Sequence, residues 1–288
     1  MEIKFSVIIP LYNKEKQIQK TIESVLKQTF TSFELVVVND GSTDSSMSIV
    51  ESYNDTRVKL ISKKNGGVSS ARNYGIEQAI NPWIVPLDAD DSLLPNALQT
   101  LAQMIEMFPN ERYFSGRTKW GNNCRGTYAY IVPKKTRFPL FMIWLKKVDP
   151  APRDVVFHKS LIQKYGNYDE RMSFYEDYEF SIRLACCGSI VYTDSFLAEY
   201  IQDGQGLSAG THPIDKEMAY YIPEYLGTAS FWHKALLYEN LELEILWWQQ
   251  HGNEENVKLY LDMQKKYFSS VYKILHWIRQ KMIRHRVI

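Results

Sequence analysis

Three aspartates stand within four positions of "IVPLDADDSLL", residues 84–94: Asp88, Asp90 and Asp91 follow directly on an apolar run. Carboxylates this close repel one another, and capping a following helix would need only one of them. A hard divalent cation resolves the repulsion. Magnesium and manganese take one or two protein carboxylates and complete an octahedron with phosphate oxygens and water. An Asp-x-Asp at a strand end is then a metal and diphosphate site, and in extended chain Asp88 and Asp90 share a face that Asp91 does not. A second acidic pair, Glu176 and Asp177 in "FYEDYEFSIRL", has two readings. One carboxylate could take the proton of an incoming hydroxyl during displacement, or both could complement the dipole of a helix start.

The elements that must hold these residues follow from the apolar pattern. "FSVIIPL", "FELVVVND", "VKLISK" and "WIVPL" read as strands, the first two as continuous Val/Ile-rich runs buried on both faces. Between them Ile18, Ile22, Val25 and Leu26 mark one face of a helix, "GSTDSSMSIVESY" opens with capping residues, and "VSSARNYGIEQAI" reads as a third helix. Strand and helix alternating over a hundred residues predict a layered α/β sheet, mostly parallel, with ligands beyond the carboxyl ends of its strands.

Those ends carry Pro10, Leu11, Tyr12, Asn13 and Glu15 after the first strand and Asn39, Asp40, Gly41 and Ser42 after the second. An aromatic ring beside a carboxylate could hold a nucleobase, by stacking and by accepting an imide N–H; equally, Tyr12 could be a rim aromatic and "NDGSTDSS" only a turn and cap. After the third strand, "KNGGVSSARN" places two glycines and Arg72. This is an approach for phosphate oxygens or, alternatively, a glycine turn with a solvent-facing arginine. Neither a dinucleotide-binding G-x-G-x-x-G nor a Walker loop is present.

Composition narrows the class. At 288 residues, 45% hydrophobic and 23% charged, the chain is globular, and a net charge of +1 argues against a general affinity for nucleic acid. Cys124, Cys186 and Cys187 form no C-x-x-C and suggest a reducing cytoplasm without zinc or disulfides. "FSVIIPL" is too short for a signal peptide, and "FPLFMIWL" is interrupted by proline and closed by Lys146 and Lys147, so a soluble or peripheral chain is expected.

Taken in order, "SVIIPLYNKE", "ELVVVNDGSTDSS", "NGGVSSARNYGI", "IVPLDADD" and "FYEDYEFSIRL" resemble the family 2 glycosyltransferases, inverting enzymes of the GT-A fold that use nucleotide sugars. The resemblance covers about residues 4 to 210. It implies that Tyr12 and Asp40 contact the base, Arg72 lies near the base or diphosphate, Asp88 holds the ribose, Asp90 binds Mn or Mg, and Asp91 is a structural cap. Pro10 and Glu15 would line the same nucleotide-sugar site, and Asp177 would be the general base. UDP sugars are the usual donors, GDP or dTDP sugars less often. A glycan or lipid-linked saccharide would be the acceptor, in bacterial surface-polysaccharide assembly. Residues 1–215 would form the GT-A domain, with 1–100 the donor half and 101–215 the acceptor half, and "GNYDERMSFYED" with Gly166, Tyr168, Asp169 and Glu170 leads into the acidic pair. One departure stands: the family often carries Y-R-x-H-x-x-S-x-S where this chain reads "YIQDGQGLS", which puts Asp203 at the histidine position and leaves His212 as a weaker substitute. Asp203 is the candidate third metal ligand. A sugar-nucleotide-forming nucleotidyltransferase is the rival enzyme, although its glycine-rich N-terminal signature is missing. The rival outside enzymes is a degenerate GT-A-like scaffold.

Residues 216–288 read as a helical extension. Met263, Tyr267, Val271, Ile274, Ile278 and Met282 recur at helical spacing, and Lys265, Lys266, Lys273, Arg279, Lys281, Arg284 and Arg286 are accompanied by no acid after residue 265. Two readings remain: an amphipathic basic helix on an anionic membrane, or a packing helix with a solvated basic edge.

Overall fold

Apolar residues on both faces of the first strands force them into the middle of a sheet, and the register bears this out. In the computed structural model, which describes residues 2–120, 126–129, 131–146, 148, 151–200 and 213–284, β1 (Phe5–Leu11) pairs in parallel with β2 (Phe33–Asn39) on one side and β4 (Trp83–Pro86) on the other. Strand β3 (Val58–Ser62) extends the parallel side beyond β2. The remaining strands are β5 (Ser92–Leu93), β6 (Tyr113–Trp120), β7 (Lys134–Thr136), β8 (Val155–His158) and β9 (Ile190–Tyr200). The sheet order is β3-β2-β1-β4-β8-β6-β9-β5, with β7 also on β9. Strand β8 runs antiparallel to both β4 and β6, whereas β6 and β9 are parallel. The beginning of β8 therefore lies on the same rim as the ends of β1, β2, β4, β6 and β9.

Period-two alternation divides the core between the two sheet faces. Ile8, Val36 and Val38 point to one buried cluster, and Val7, Ile9, Leu35 and Val37 to the other. Against the second face lie α1 (Ile18–Leu26), whose buried stripe contains Ile18, Ile22 and Val25 as the spacing predicted, and α4 (Ala97–Met107). Between them in sequence come α2 (Ser46–Glu51) and α3 (Val68–Gln78). Helix α3 packs close on the first face: a Cβ at Gly75 would come 2.4 Å from the Cγ2 of Ile8.

The short helices α5 (Pro139–Trp144) and α6 (Ser160–Tyr165) and the longer α7 (Glu176–Ala185) complete the sheet region. Then follow α8 (Met218–Tyr225), α9 (Phe231–Gln250), α10 (Glu254–Tyr267) and α11 (Ser270–Arg284). Leu236, Leu237, Leu241 and Ile245 of α9 share one buried cluster with Ile8 and Phe180, so the helical extension is built onto the first face. Among the described residues no helix is long and apolar enough to cross a membrane.

Two local expectations change. The helix expected to follow the aspartates directly does not start at "DSLLPNAL": Ser92–Leu93 pairs with Ala198 and Glu199 of β9, and α4 begins only at Ala97. Asp91 is accordingly no cap. The N terminus of α4 is held instead by buried Gln28, whose side-chain oxygen accepts from the Leu98 N–H at 3.0 Å.

Candidate active site

The aspartate run does not continue in extended form. The Asp91 N–H donates to the Asp88 carbonyl at 3.1 Å, so residues 88–91 turn, and the shared face expected for Asp88 and Asp90 gives way to three separate directions. Each carboxylate meets a cation from a different element. Asp88 accepts from Arg72 of α3 at 2.7 Å, Asp90 from Lys14 of the loop after β1 at 2.6 Å, and Asp91 from Arg153 just before β8 at 2.9 Å. The protein therefore relieves much of the crowding by itself.

These environments set different charge states. Burial pushes Asp88 up, but Arg72 overrides it and holds the carboxyl below its usual range. At Asp91, which is almost wholly buried, burial and the charges of Asp88 and Asp90 outweigh Arg153 and push the carboxyl up to about 7. Arg72 is itself buried, crosses to Glu176 at 2.8 Å, and lies 5.2 Å from the Tyr168 ring centroid. Its guanidinium thus fastens the turn after β4 to the start of α7. It is a clamp between two acids, a role its place in "SSARN" did not disclose.

At that start, Tyr175 adopts the left-handed conformation (φ 58°), which costs free energy in a non-glycine residue and is held by what surrounds it. The Ser173 N–H donates to the Lys216 carbonyl at 3.0 Å and the Met218 N–H to the Phe174 carbonyl at 3.2 Å, so the beginning of α8 secures this segment. The adjacent acids then separate in role. Glu176 is buried on Arg72, and burial with the Asp177 charge pushes it up to about 7. Asp177 is half-buried and accepts only from the Tyr178 N–H (2.7 Å) among the described residues; burial raises it, with Arg72 opposing. A carboxylate with an uncommitted oxygen at a helix N-terminus can receive a proton.

On the parallel side, Tyr12 is 49% exposed at the end of β1, open for stacking, while Pro10 is buried inside the strand. Asp40 is buried, and its carboxylate takes the Lys63 ammonium at 2.8 Å and the Gly66 and Gly67 N–H groups at 3.0 and 2.8 Å. This explains the glycine pair: Gly67 sits at φ +89° to present its N–H, a conformation other residues rarely adopt. Base recognition through Asp40 would require Lys63 to move aside. Glu15 lies at the start of α2, accepting from the Ser45 N–H at 3.0 Å, while its own N–H donates to Asp44 at 3.0 Å. "NDGSTDSS" is thus a turn and cap whose Asn39 oxygen takes the Ser42 N–H at 2.9 Å.

A metal fits this donor set within limits. Asp88 and Asp90 each keep one oxygen that no donor among the described residues reaches, which suits a cation whose other ligands are phosphate oxygens and water. Among the described residues no group of three His, Cys, Asp or Glu side chains is placed to hold a metal ion by itself. Asp203 and His212 lie outside the described residues.

The profile of the family "Glycosyl transferase family 2" matches residues 6–166, more than half of the 288. The chain belongs to this family. Its relatives include "Uncharacterized glycosyltransferase YibD" of Escherichia coli K12, 44% identical over 103 residues that make up 35% of this chain and 30% of the relative. Glycosyltransferase GlyG of Streptococcus pneumoniae is 38% identical over 35% of each chain. The matched stretch is thus about a third of these relatives' length. "Uncharacterized glycosyltransferase RT0329" of Rickettsia typhi is 26% identical over 73% of this chain and 68% of its own. Among solved structures, S. aureus TarS 1-349 in complex with UDP-GlcNAc superposes with a TM-score of 0.65 at 21% identity, covering 92% of this chain and 74% of that one. The likeness bears out the expected GT-A fold, including helices beyond the sheet.

Proposed function

We propose that this family 2 glycosyltransferase moves a sugar from a nucleotide sugar to a saccharide hydroxyl with inversion at the anomeric carbon. The observation that supports the reading is the Arg72 bridge, which ties Asp88 in the turn after β4 to Glu176, the neighbour of Asp177 at the start of α7. The base of the donor would stack on Tyr12 at the end of β1, with the Asp40-held glycine loop beside it and Pro10 and Glu15 shaping the wall. Asp88 would face the ribose, and Asp88 and Asp90 the diphosphate. Asp177 would accept the proton of the acceptor hydroxyl as its oxygen bonds to the anomeric carbon, and the bond from that carbon to the diphosphate oxygen breaks with its electron pair on the diphosphate. Mn or Mg, when bound at Asp90 with Asp203 as a further candidate ligand, would neutralise charge on the leaving diphosphate. UDP sugars are the favoured donors, supported by the fold shared with TarS, which was crystallised with UDP-GlcNAc. A panel of nucleotide sugars scored by thermal stabilisation, with and without Mn, tests this. Stabilisation by one UDP sugar that needs Mn in the parent and is lost in Asp90→Asn is expected; no stabilisation by any nucleotide sugar refutes it.

The acceptor belongs to the same proposal, as a glycan or lipid-linked saccharide of the bacterial surface. Helix α11 supports a membrane setting. Its inner side is fixed to α9 by Glu239, which accepts from Arg279 at 2.6 Å and pairs with His276 at 2.9 Å. Its outer side exposes Val271, Ile274, Trp277 and Ile278 beside Lys273, Lys281 and Arg284. Apolar residues flanked by cations suit the inner, anionic face of a cell membrane. Replacing Ile274 and Trp277 with Gln should weaken binding to phosphatidylserine-containing vesicles in a salt-sensitive manner while leaving donor binding intact. Equal vesicle binding by parent and variant would make this outer side a plain solvated edge.

A further inference from the structure

Arg153 and its aromatic neighbours were not singled out by the sequence, and the site described above uses Arg153 only as the partner of Asp91 and the rings not at all. The register of β6 and β9 aligns Lys119 with Glu199 and Trp120 with Tyr200. Lys119 and Glu199 form an ion pair at 2.8 Å, which fixes that register at the strand ends. One residue further, the rings of Trp120 and Tyr200 stack with centroids 4.3 Å apart and planes 24° apart. The guanidinium of Arg153 lies 5.0 Å from the Trp120 centroid and 4.8 Å from that of Tyr200, while one of its nitrogens donates to Asp91. The indole is held on one side by its partners and is still 49% exposed.

We propose that Trp120, braced by Tyr200 and Arg153, is a stacking platform for a pyranose ring of the acceptor saccharide. The inference rests on the glycosyltransferase reading and names the part of the site that reading leaves open. Placement is the first argument. Along the rim the order is Asp40, Tyr12, the Asp88–Asp91 turn, Arg153, Trp120 and Tyr200, as the strand order requires. Trp120 lies three strand steps from Tyr12, roughly 14 Å at the usual strand spacing. The two exposed aromatics therefore stand on either side of the aspartate turn along this rim. Contact is the second argument. Arg153 lies against both rings and donates to Asp91 at 2.9 Å, so the platform is joined to the aspartate turn. Chemistry is the third. A pyranose presents a face of C–H groups that is apolar and slightly positive, matched to the electron-rich face of an indole, while its hydroxyls stay at the edge for polar partners. A structural tryptophan would gain more from burial, since its large surface contributes most when removed from water.

The test uses the full chain and saturation-transfer NMR with methyl β-glucoside, methyl β-galactoside and methyl β-N-acetylglucosaminide as probes, alongside calorimetry with UDP-GlcNAc. Saturation should reach the ring protons of at least one glycoside in the parent. It should fall about tenfold in Trp120→Ala and remain largely intact in Trp120→Phe, which keeps a flat face. UDP-GlcNAc affinity and melting temperature should stay level across all three proteins. Silence of every glycoside in the parent overturns the platform, as does undiminished transfer in Trp120→Ala. Equal loss in both variants with a lowered melting temperature also overturns it, by making Trp120 a structural brace. Failure of the parent to bind UDP-GlcNAc while glycoside signals persist would instead count against that donor and leave the platform standing.

Discussion

The two sides of the sheet treat their carboxylates differently. On the parallel side, β3-β2-β1-β4, Asp40, Asp88 and Asp90 each lie within 2.8 Å of a lysine or arginine nitrogen. Asp88 is held below its ordinary range there and keeps its negative charge beneath the proposed diphosphate, while Asp91, buried in the same turn, is lifted to about 7. On the other side, at the start of α7, burial dominates and lifts both Glu176 and Asp177. Pairs of carboxylates pushed apart by their surroundings mark a division between electrostatic and proton-transfer work. Arg72 belongs to both sides, and how far the contrast depends on it can be measured.

The largest effect is expected at Asp177. Asp177→Asn should lower turnover by about 10²- to 10⁴-fold while donor affinity, read by calorimetry, stays near the parental value. The pH dependence carries a second signature. A base must be deprotonated to act and Asp177 is raised above the ordinary carboxylate range, so kcat/KM should rise with pH through that displaced value, and this acid limb should be missing from the residual activity of the variant. Glu176→Gln should cost far less in turnover. If Asp177→Asn turns over at the parental rate, the assignment of the base is wrong and the contrast between the two sides has no catalytic meaning.

Removing the shared cation comes next. Arg72→Met leaves Asp88 and buried Glu176 without their partner, and breaking a buried pair this way costs about 3–5 kcal/mol. Urea unfolding measures it. Adding Glu176→Gln should return part of the loss, about 1–2 kcal/mol, because the second carboxylate is then no longer charged and unpaired. Strict additivity of the two changes would mean that Arg72 and Glu176 act independently, and the bridge could not position α7.

Much of the parallel side was legible because physics leaves such strands few options. Buried on both faces, β1 and β2 had to be continuous apolar runs, and ligands in such sheets sit at carboxyl ends, which led directly to Tyr12, Asp40 and the Asp88–Asp91 turn. The partners of those residues were not legible. Lys14 and Lys63 sit in stretches that read as loops, and only the folded turn brings them to Asp90 and Asp40. The other side hid more, because β8 is inserted between β4 and β6 out of sequence order and runs antiparallel to both. Arg153 reaches the rim by preceding a strand, where a reading that looks after strands does not search. Trp120 and Tyr200 depend on a register between strands some eighty positions apart, and no local pattern encodes that. The short β5 was mistaken for helix because pairing with β9 overrides the preference of "DSLLPNAL".

The smallest effect sharpens the contrast from beneath α7. Glu217, which adjoins the backbone bridge to Phe174, accepts from the Trp248 indole at 3.0 Å and from the Tyr260 hydroxyl, and stands beside Glu244. Burial first, then the Glu217 charge and a hydrogen bond to it, push Glu244 up to about 8 from 4.5. The sign follows. A carboxyl that binds its proton more tightly when folded contributes stability that is complete below about pH 4.5 and is lost as pH rises through about 8. Glu244→Gln keeps an N–H donor toward Glu217 and removes the titration. Melting temperatures between pH 6 and pH 9 should therefore fall by about 2–4 °C more in the parent than in the variant. Parallel curves would mean that Glu244 keeps its charge when folded, and burial would then have to be offset by a cation on this side too. A steeper fall for the parent, with the Asp177 acid limb unchanged in Glu244→Gln, would show that the pair supports the start of α7 mechanically and leaves the proposed proton acceptor to its own surroundings.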